Sequence, residues 1–127
     1  MATPRSPNDL VGPVLLGDGA EYAEVAITVY DDDGRYIAAN RKATELLGYS
    51  REELLKHDVA DFTEGGIDRT VLLYPSLREG ARIVTRNDGT KVPVAYVVAP
   101  TRVSGIQFYF AVWWRLPDDD PRALAAK

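Results

Sequence analysis

No cysteine occurs in this chain, and histidine and methionine occur once each. The first absence excludes disulfides, thiolate metal sites, thiol nucleophiles and any covalent adduct through sulfur. A single imidazole, His57, leaves no ligand set for a transition metal. It also leaves a Ser-His-Asp triad with one conceivable base and neither a Gly-x-Ser-x-Gly elbow nor another nucleophile setting. A glycine-rich phosphate cradle is missing as well. Asp31, Asp33 and Gly34 echo part of a calcium loop, but the other ligands and a closing glutamate at the required spacing are lacking, so the triplet reads as a solvated turn. Long apolar runs are absent: the longest, Phe108 to Trp114, falls far short of the roughly 18 residues of a membrane span. Pro4, Pro7 and Asp9 stand where a secretory signal would be basic and then apolar. With 15 basic and 19 acidic residues and a net charge of −4, the chain offers no phosphate-tracking surface. These exclusions point to a soluble cytoplasmic protein with no metal, no nucleic-acid partner and no membrane partner.

What is present suffices for one hydrophobic core, since a chain of 127 residues buries roughly two-thirds of its unfolded surface. Val25, Ile27 and Val29 alternate with Ala26, Thr28 and Tyr30, the period of a strand. Asp31-Asp32-Asp33-Gly34 supplies a turn, and Arg35 to Ala39 returns as the partner strand. From Asn40 the period becomes helical through Ala43, Leu46 and Leu47, with Asn40 as N-cap and Gly48 as left-handed C-cap. Ser50-Arg51-Glu52-Glu53 reads as a capping box opening a short helix to about Lys56. Val59 to Phe62 makes a further turn, and Glu64-Gly65-Gly66 a flexible joint. Ile67 to Glu79 carries a helical pattern that Pro75 must bend or split near Tyr74. Then follow Ala81 to Arg86, an Asn87-Asp88-Gly89 turn, Lys91 to Pro100, a Val103-Ser104-Gly105 connection and Ile106 to Arg115, three strands rich in β-branched and aromatic residues.

Two strands, several short helices and three strands, in that order, resemble a PAS domain. The pieces that carry the likeness are Asp33-Gly34, Asn40, Leu47-Gly48-Tyr49-Ser50, and Asn87-Asp88-Gly89-Thr90 before Val92-Pro93-Val94. The resemblance implies an α+β fold, a five-stranded antiparallel sheet with short helices on one face. Residues 23–116 form that domain, behind an N-terminal extension or cap (1–22) and ahead of a C-terminal tail (117–127). It also implies a sensory, non-catalytic role in signal transduction, exercised through small-molecule binding, homodimerisation or both. A pure protein–protein interaction module with a filled core is the alternative, and a small α+β enzyme using inward hydroxyls of Tyr74 or Tyr96 is a weaker one. Light-oxygen-voltage and xanthopsin relatives hold their chromophores through cysteine, and haem-binding relatives supply histidine near residues 67 to 79. This chain has neither, which disfavours flavin and haem and leaves the cofactor unknown. His57 is expected to be an exposed structural residue.

For a pocket between helices and sheet, strand alternation nominates Val92, Val94, Tyr96 and Val98 with Ile106, Phe108, Phe110 and Val112. Leu46, Leu54, Val71, Leu72 and Tyr74 would close it from the helices around a small apolar ligand. The opposite sheet face, with Ala95, Val97, Tyr109 and Trp113, is also apolar, whereas a solvated face would carry charges and threonines. Either the Leu10 to Leu16 segment, Leu15 included, or a second copy of the chain is expected to cover it. The last strand runs into Trp114-Arg115-Leu116-Pro117 with no effector after it. A complete chain would therefore signal by association, to a second copy or a signalling partner, and an excised one would have lost its effector.

Overall fold

The computed structural model describes residues 17–63, 67 and 69–126. Its centre is one antiparallel sheet of five strands in the order β2-β1-β5-β4-β3: β1 Ala26–Tyr30, β2 Tyr36–Ala39, β3 Arg78–Thr85, β4 Lys91–Val103 and β5 Ile106–Arg115. Residues 17–21 are helical and are labelled α1. Between β2 and β3 lie α2 (Arg41–Leu47), α3 (Arg51–Leu54), α4 (Val59–Phe62) and α5 (Arg69–Leu72), and α6 (Pro121–Ala126) follows the sheet. Among the described residues no helix is long and apolar enough to cross a membrane. The expectations for Leu10 to Leu16 and for the Glu64-Gly65-Gly66 joint lie outside the described residues.

Local chemistry explains the helix ends. Asn40 caps α2 by accepting from the Ala43 amide, and Gly48 closes it in the left-handed region at φ 77°. The carbonyls left over at that end are taken by the β3–β4 hairpin: Arg86 Nε donates to Leu46 O, the Asn87 amide to Leu47 O and Asn87 Nδ2 to Gly48 O. The Leu47-Gly48-Tyr49-Ser50 and Asn87-Asp88-Gly89 motifs, 39 residues apart for the Gly48–Asn87 bond, are thus two halves of one helix cap. Ser50 accepts from the Glu53 amide. The complete reciprocal box, expected there, is instead formed by Asp58 and Asp61 at the start of α4. The element expected over Ile67 to Glu79 is helical only from Arg69 to Leu72, and β3 begins at Arg78. The stretch between them contains Pro75, which cannot prolong the helical ladder.

The α4 box makes a pH-dependent prediction. Asp61 is titrated by opposing influences: partial burial disfavours its charge, while the Asp58 amide and the His57 imidazole outweigh that and hold the carboxyl below its ordinary 3.8. Asp61→Ala is expected to cost about 0.5 kcal/mol at neutral pH. A folded pKa below the unfolded one contributes stability in full above the unfolded value and loses it as pH falls through the folded value. The gap between wild type and variant, followed by urea denaturation, should therefore close below about pH 4. A gap constant from pH 7 to 2 would show that the charge plays no part.

The register of the last hairpin decides which face each side chain takes. Ser104 and Gly105 both sit at positive φ, 52° and 79°, as a two-residue type I′ turn requires. They pair Val103 with Ile106, and hence Val98 with Ala111 and Tyr96 with Trp113. Directly opposed residues share a face, so Tyr109, Ala111 and Trp113 join Val94, Tyr96 and Val98 under the helices. Each of those three is 6% exposed. Phe108, Phe110 and Val112, expected inside, face outward, and Tyr109 and Trp113, expected at an interface, are core residues. A three-residue connection was assumed from sequence, and one residue less in the loop exchanges the faces of the whole strand.

The expected C-terminal tail also acquires a role. Ala123 of α6 is fully buried against Ala95 and Leu116, with Trp114 and Ala81 beside them. Ala95 is therefore covered by its own chain. Val97 stays half-buried on the outer face, and Leu15 lies outside the described residues.

Candidate ligand-binding site

Under the helical layer the inner sheet face borders a half-open cavity of about 70 Å³. Val94, Val98, Ala111 and Trp113 form its floor, Leu47, Val59 and Phe62 face them from α2 and α4, and Arg78, Arg82 and Val84 of β3 close one side. Polar side chains reach the same space: Thr28, Tyr30, Tyr36 and Tyr96 line it too. Two isolated bridges, Arg35 to Asp58 and Thr63 to Val84, fasten the α4 segment to the sheet edges and hold Phe62 and Val59 over the opening.

The aromatic groups are individually anchored. Tyr30 Oη donates to Leu72 O at 2.8 Å, Tyr109 Oη to Leu73 O at 3.3 Å, and Trp113 Nε1 to Thr28 Oγ1 at 3.2 Å. Tyr30 and Tyr109 stack with centroids 5.1 Å apart. Burial pushes the Tyr30 hydroxyl above its ordinary value of 10.0, and the Arg78 and Arg82 charges pull against that shift. Tyr36, also buried, is pushed up chiefly by desolvation, so both phenols stay neutral across the physiological range.

Tyr96 owes its place to Gly80, its partner across the β3–β4 ladder. A Cβ at residue 80 would lie 2.6 Å from Tyr96 Oη and 2.8 Å from Cζ; the ring occupies the room that glycine leaves. Arg78 and Arg82 precede and follow Gly80 on the same face. Their guanidinium carbons lie 5.0 and 5.4 Å from the Tyr96 centroid, within cation–π range, and Arg78 Nη1 donates to Tyr96 Oη at 3.1 Å.

Of the residues nominated from sequence for a pocket, Val94, Tyr96 and Val98 line this cavity. Leu54 and Leu72 are buried in the core and Leu46 packs against it, all outside the cavity lining. Val71 and Tyr74, expected to close the pocket, are 36% and 50% exposed, because α5 ends before Tyr74. Phe108 and Phe110 belong to the opposite face. His57 is half-buried, with Nδ1 2.9 Å from Asp61 Oδ2 and its ring against Tyr49 and Phe62. Sequence reasoning passed over Arg78 and Arg82. Their signal was the alternation Arg78-x-Gly80-x-Arg82, hidden by carrying the helical pattern on to Glu79.

A family model described as PAS domain matches residues 24–114. Among solved structures, the PAS domain of an HTR-like protein from Haloarcula marismortui superposes with a TM-score of 0.76 at 21% identity, over 84% of this chain and 93% of that one. A PAS domain from a two-component sensor histidine kinase gives 0.75 at 14% identity, over 84% and 98%. The PAS domain of nitrogen regulation protein NR(II) from Vibrio parahaemolyticus gives 0.70 at 14% identity, over 80% and 98%. No curated protein matches the sequence.

Proposed function

This chain belongs to the PAS domain family, and on that premise we propose that it is a non-catalytic sensory module whose inner cavity receives a small molecule. The observation that supports this most is the cavity of about 70 Å³ in a core that otherwise leaves no buried side-chain donor or acceptor unpartnered among the described residues. This cavity combines apolar walls with convergent polar groups, the usual make-up of a ligand site. Similarity to sensor histidine kinase PAS domains fits a role in relaying occupancy to a partner.

Xenon dissolved under pressure tests the cavity without presuming a ligand. We expect it to move the amide resonances of Val94, Val98 and Ala111 in a saturable manner and to leave those of the β4–β5 turn unchanged. Uniform, unsaturable shifts would sink the receptor reading.

The outer face favours association as a second means of signalling. Val112 is flanked by Ile27 and Val97, and Phe110 by Val29 and Ala99, an apolar strip beside the part that α6 covers. We propose that a second copy of the chain packs there. Phe110→Glu should preserve the fold and weaken self-association at least tenfold in sedimentation equilibrium. An unchanged mass at all concentrations would refute the dimer.

A further inference from the structure

We infer that the molecule sensed is a short organic carboxylate, its anionic head held by Arg78 and Arg82 and its hydrocarbon body in the apolar end of the cavity. The inference rests on the receptor reading above and narrows its ligand to one chemical class.

Three observations carry it. First, both arginines lie on the inner face of β3, opposite Val98 and Val94, and both line the cavity. Both are half-buried, and a guanidinium withdrawn from water is costly in proportion unless its charge is answered. Second, no anionic partner for them stands among the described residues. Among the described residues no carboxylate lines the cavity, and the ion pairs engage other arginines: Arg41, Arg51, Arg86 and Arg122. Arg78 gives a hydrogen bond to Tyr96 Oη, and no acceptor among the described residues takes one from the Arg82 side chain. A guanidinium carries five N–H donors in a fork suited to two carboxylate oxygens. Third, the arginines are held in place before any ligand arrives, since both pack on the Tyr96 ring, which Gly80 admits. Holding the cations in advance reduces the ordering cost of binding.

Size and wall chemistry choose among anions. At roughly 10–15 Å³ for each water-sized centre, a cavity of about 70 Å³ takes about five to seven heavy atoms, the size of a short-chain acid such as propionate. The rest of the lining includes Val94, Val98, Leu47, Phe62 and Trp113, which favour a hydrocarbon tail over a fully charged ion such as phosphate.

Propionate, its neutral isostere propionamide and inorganic phosphate, each titrated into the protein and followed through the cavity amides, decide the question. Propionate should bind saturably, and propionamide and phosphate at least tenfold more weakly. Arg82→Gln should weaken propionate tenfold or more, and Arg82→Lys, which retains charge but loses the fork, should fall between. Because the propionate and propionamide comparison uses the unaltered chain, misfolding of a variant does not obscure the result. Equal binding of propionate and propionamide, or phosphate binding as well as propionate, would overturn the carboxylate assignment. A response to xenon but not to propionate would overturn it while leaving the receptor reading in place. No response to either would remove both.

Discussion

Replacing Asn40 by alanine should lower stability by about 3 kcal/mol in urea denaturation, and replacing it by aspartate should rescue little of that loss. A helix N-cap alone predicts otherwise, because Asn→Ala at a cap costs about 1 kcal/mol and aspartate caps as well as asparagine. Asn40 does more than cap. It is 5% exposed, and Oδ1 accepts both the Ala43 amide at 3.0 Å and the Ile27 amide at 2.9 Å. Its Nδ2 donates to Ala20 O at 2.7 Å and Val25 O at 3.0 Å. One side chain thereby joins the end of α1, the start of β1 and the start of α2. Alanine strands all of these groups, and each one left buried without a partner costs about 1–3 kcal/mol before water compensates. Aspartate restores the acceptor but sets a negative charge against two carbonyls. Full rescue by aspartate would reduce Asn40 to a simple cap and leave α1 tied to the sheet by other means.

The same residue shows how far sequence alone reaches. Asn40 before a helical run signals a cap because that geometry is local. Its bonds to Ala20 and Val25 join segments whose proximity only the folded chain creates. Turns were legible for the same reason: Asp31 accepts the Asp33 and Arg35 amides through Oδ1, and Asp88 accepts from Thr90 in the next hairpin. The order of elements along the chain and the antiparallel sheet were also within reach, since pattern and family likeness agreed. The candidate site was less so. A cavity depends on which face of each strand points inward, and on β5 both faces are apolar, so periodicity could not choose. The choice fell to the length of a turn. On β3, two inward arginines break the apolar alternation, and the helical pattern expected to Glu79 takes in Arg78 and leaves Arg82 alone in the strand expected from Ala81. Their partner in geometry, Gly80, makes room for Tyr96, a contact that no local pattern announces. Polar features of a ligand site contradict the patterns by which cores are recognised, and this is where the reading failed.

Trp113→Ala and Phe110→Ala turn that question of register into a measurement. Were the outward assignment from sequence correct, Trp113 would be an interface residue, and its loss would alter association while sparing the monomer. The register pairs Trp113 with Tyr96 on β4 and Ala26 on β1, which places its indole in the main core cluster at 6% exposure. Truncation removes the floor of the cavity and leaves Thr28 Oγ1, itself in a residue 2% exposed, without the indole donor 3.2 Å away. Large-to-small changes at such sites cost about 3–5 kcal/mol, enough to unfold much of a domain whose total stability is about 5–15 kcal/mol. Phe110, three positions earlier on the same strand and 39% exposed, should cost about 1 kcal/mol or less. Calorimetric melting at one low concentration, where association contributes little, separates the two. A collapse of the Trp113 variant beside a nearly native Phe110 variant is the expected result. The reverse order would mean that β5 is displaced by one residue, and with it the Ala111 and Trp113 part of the cavity floor.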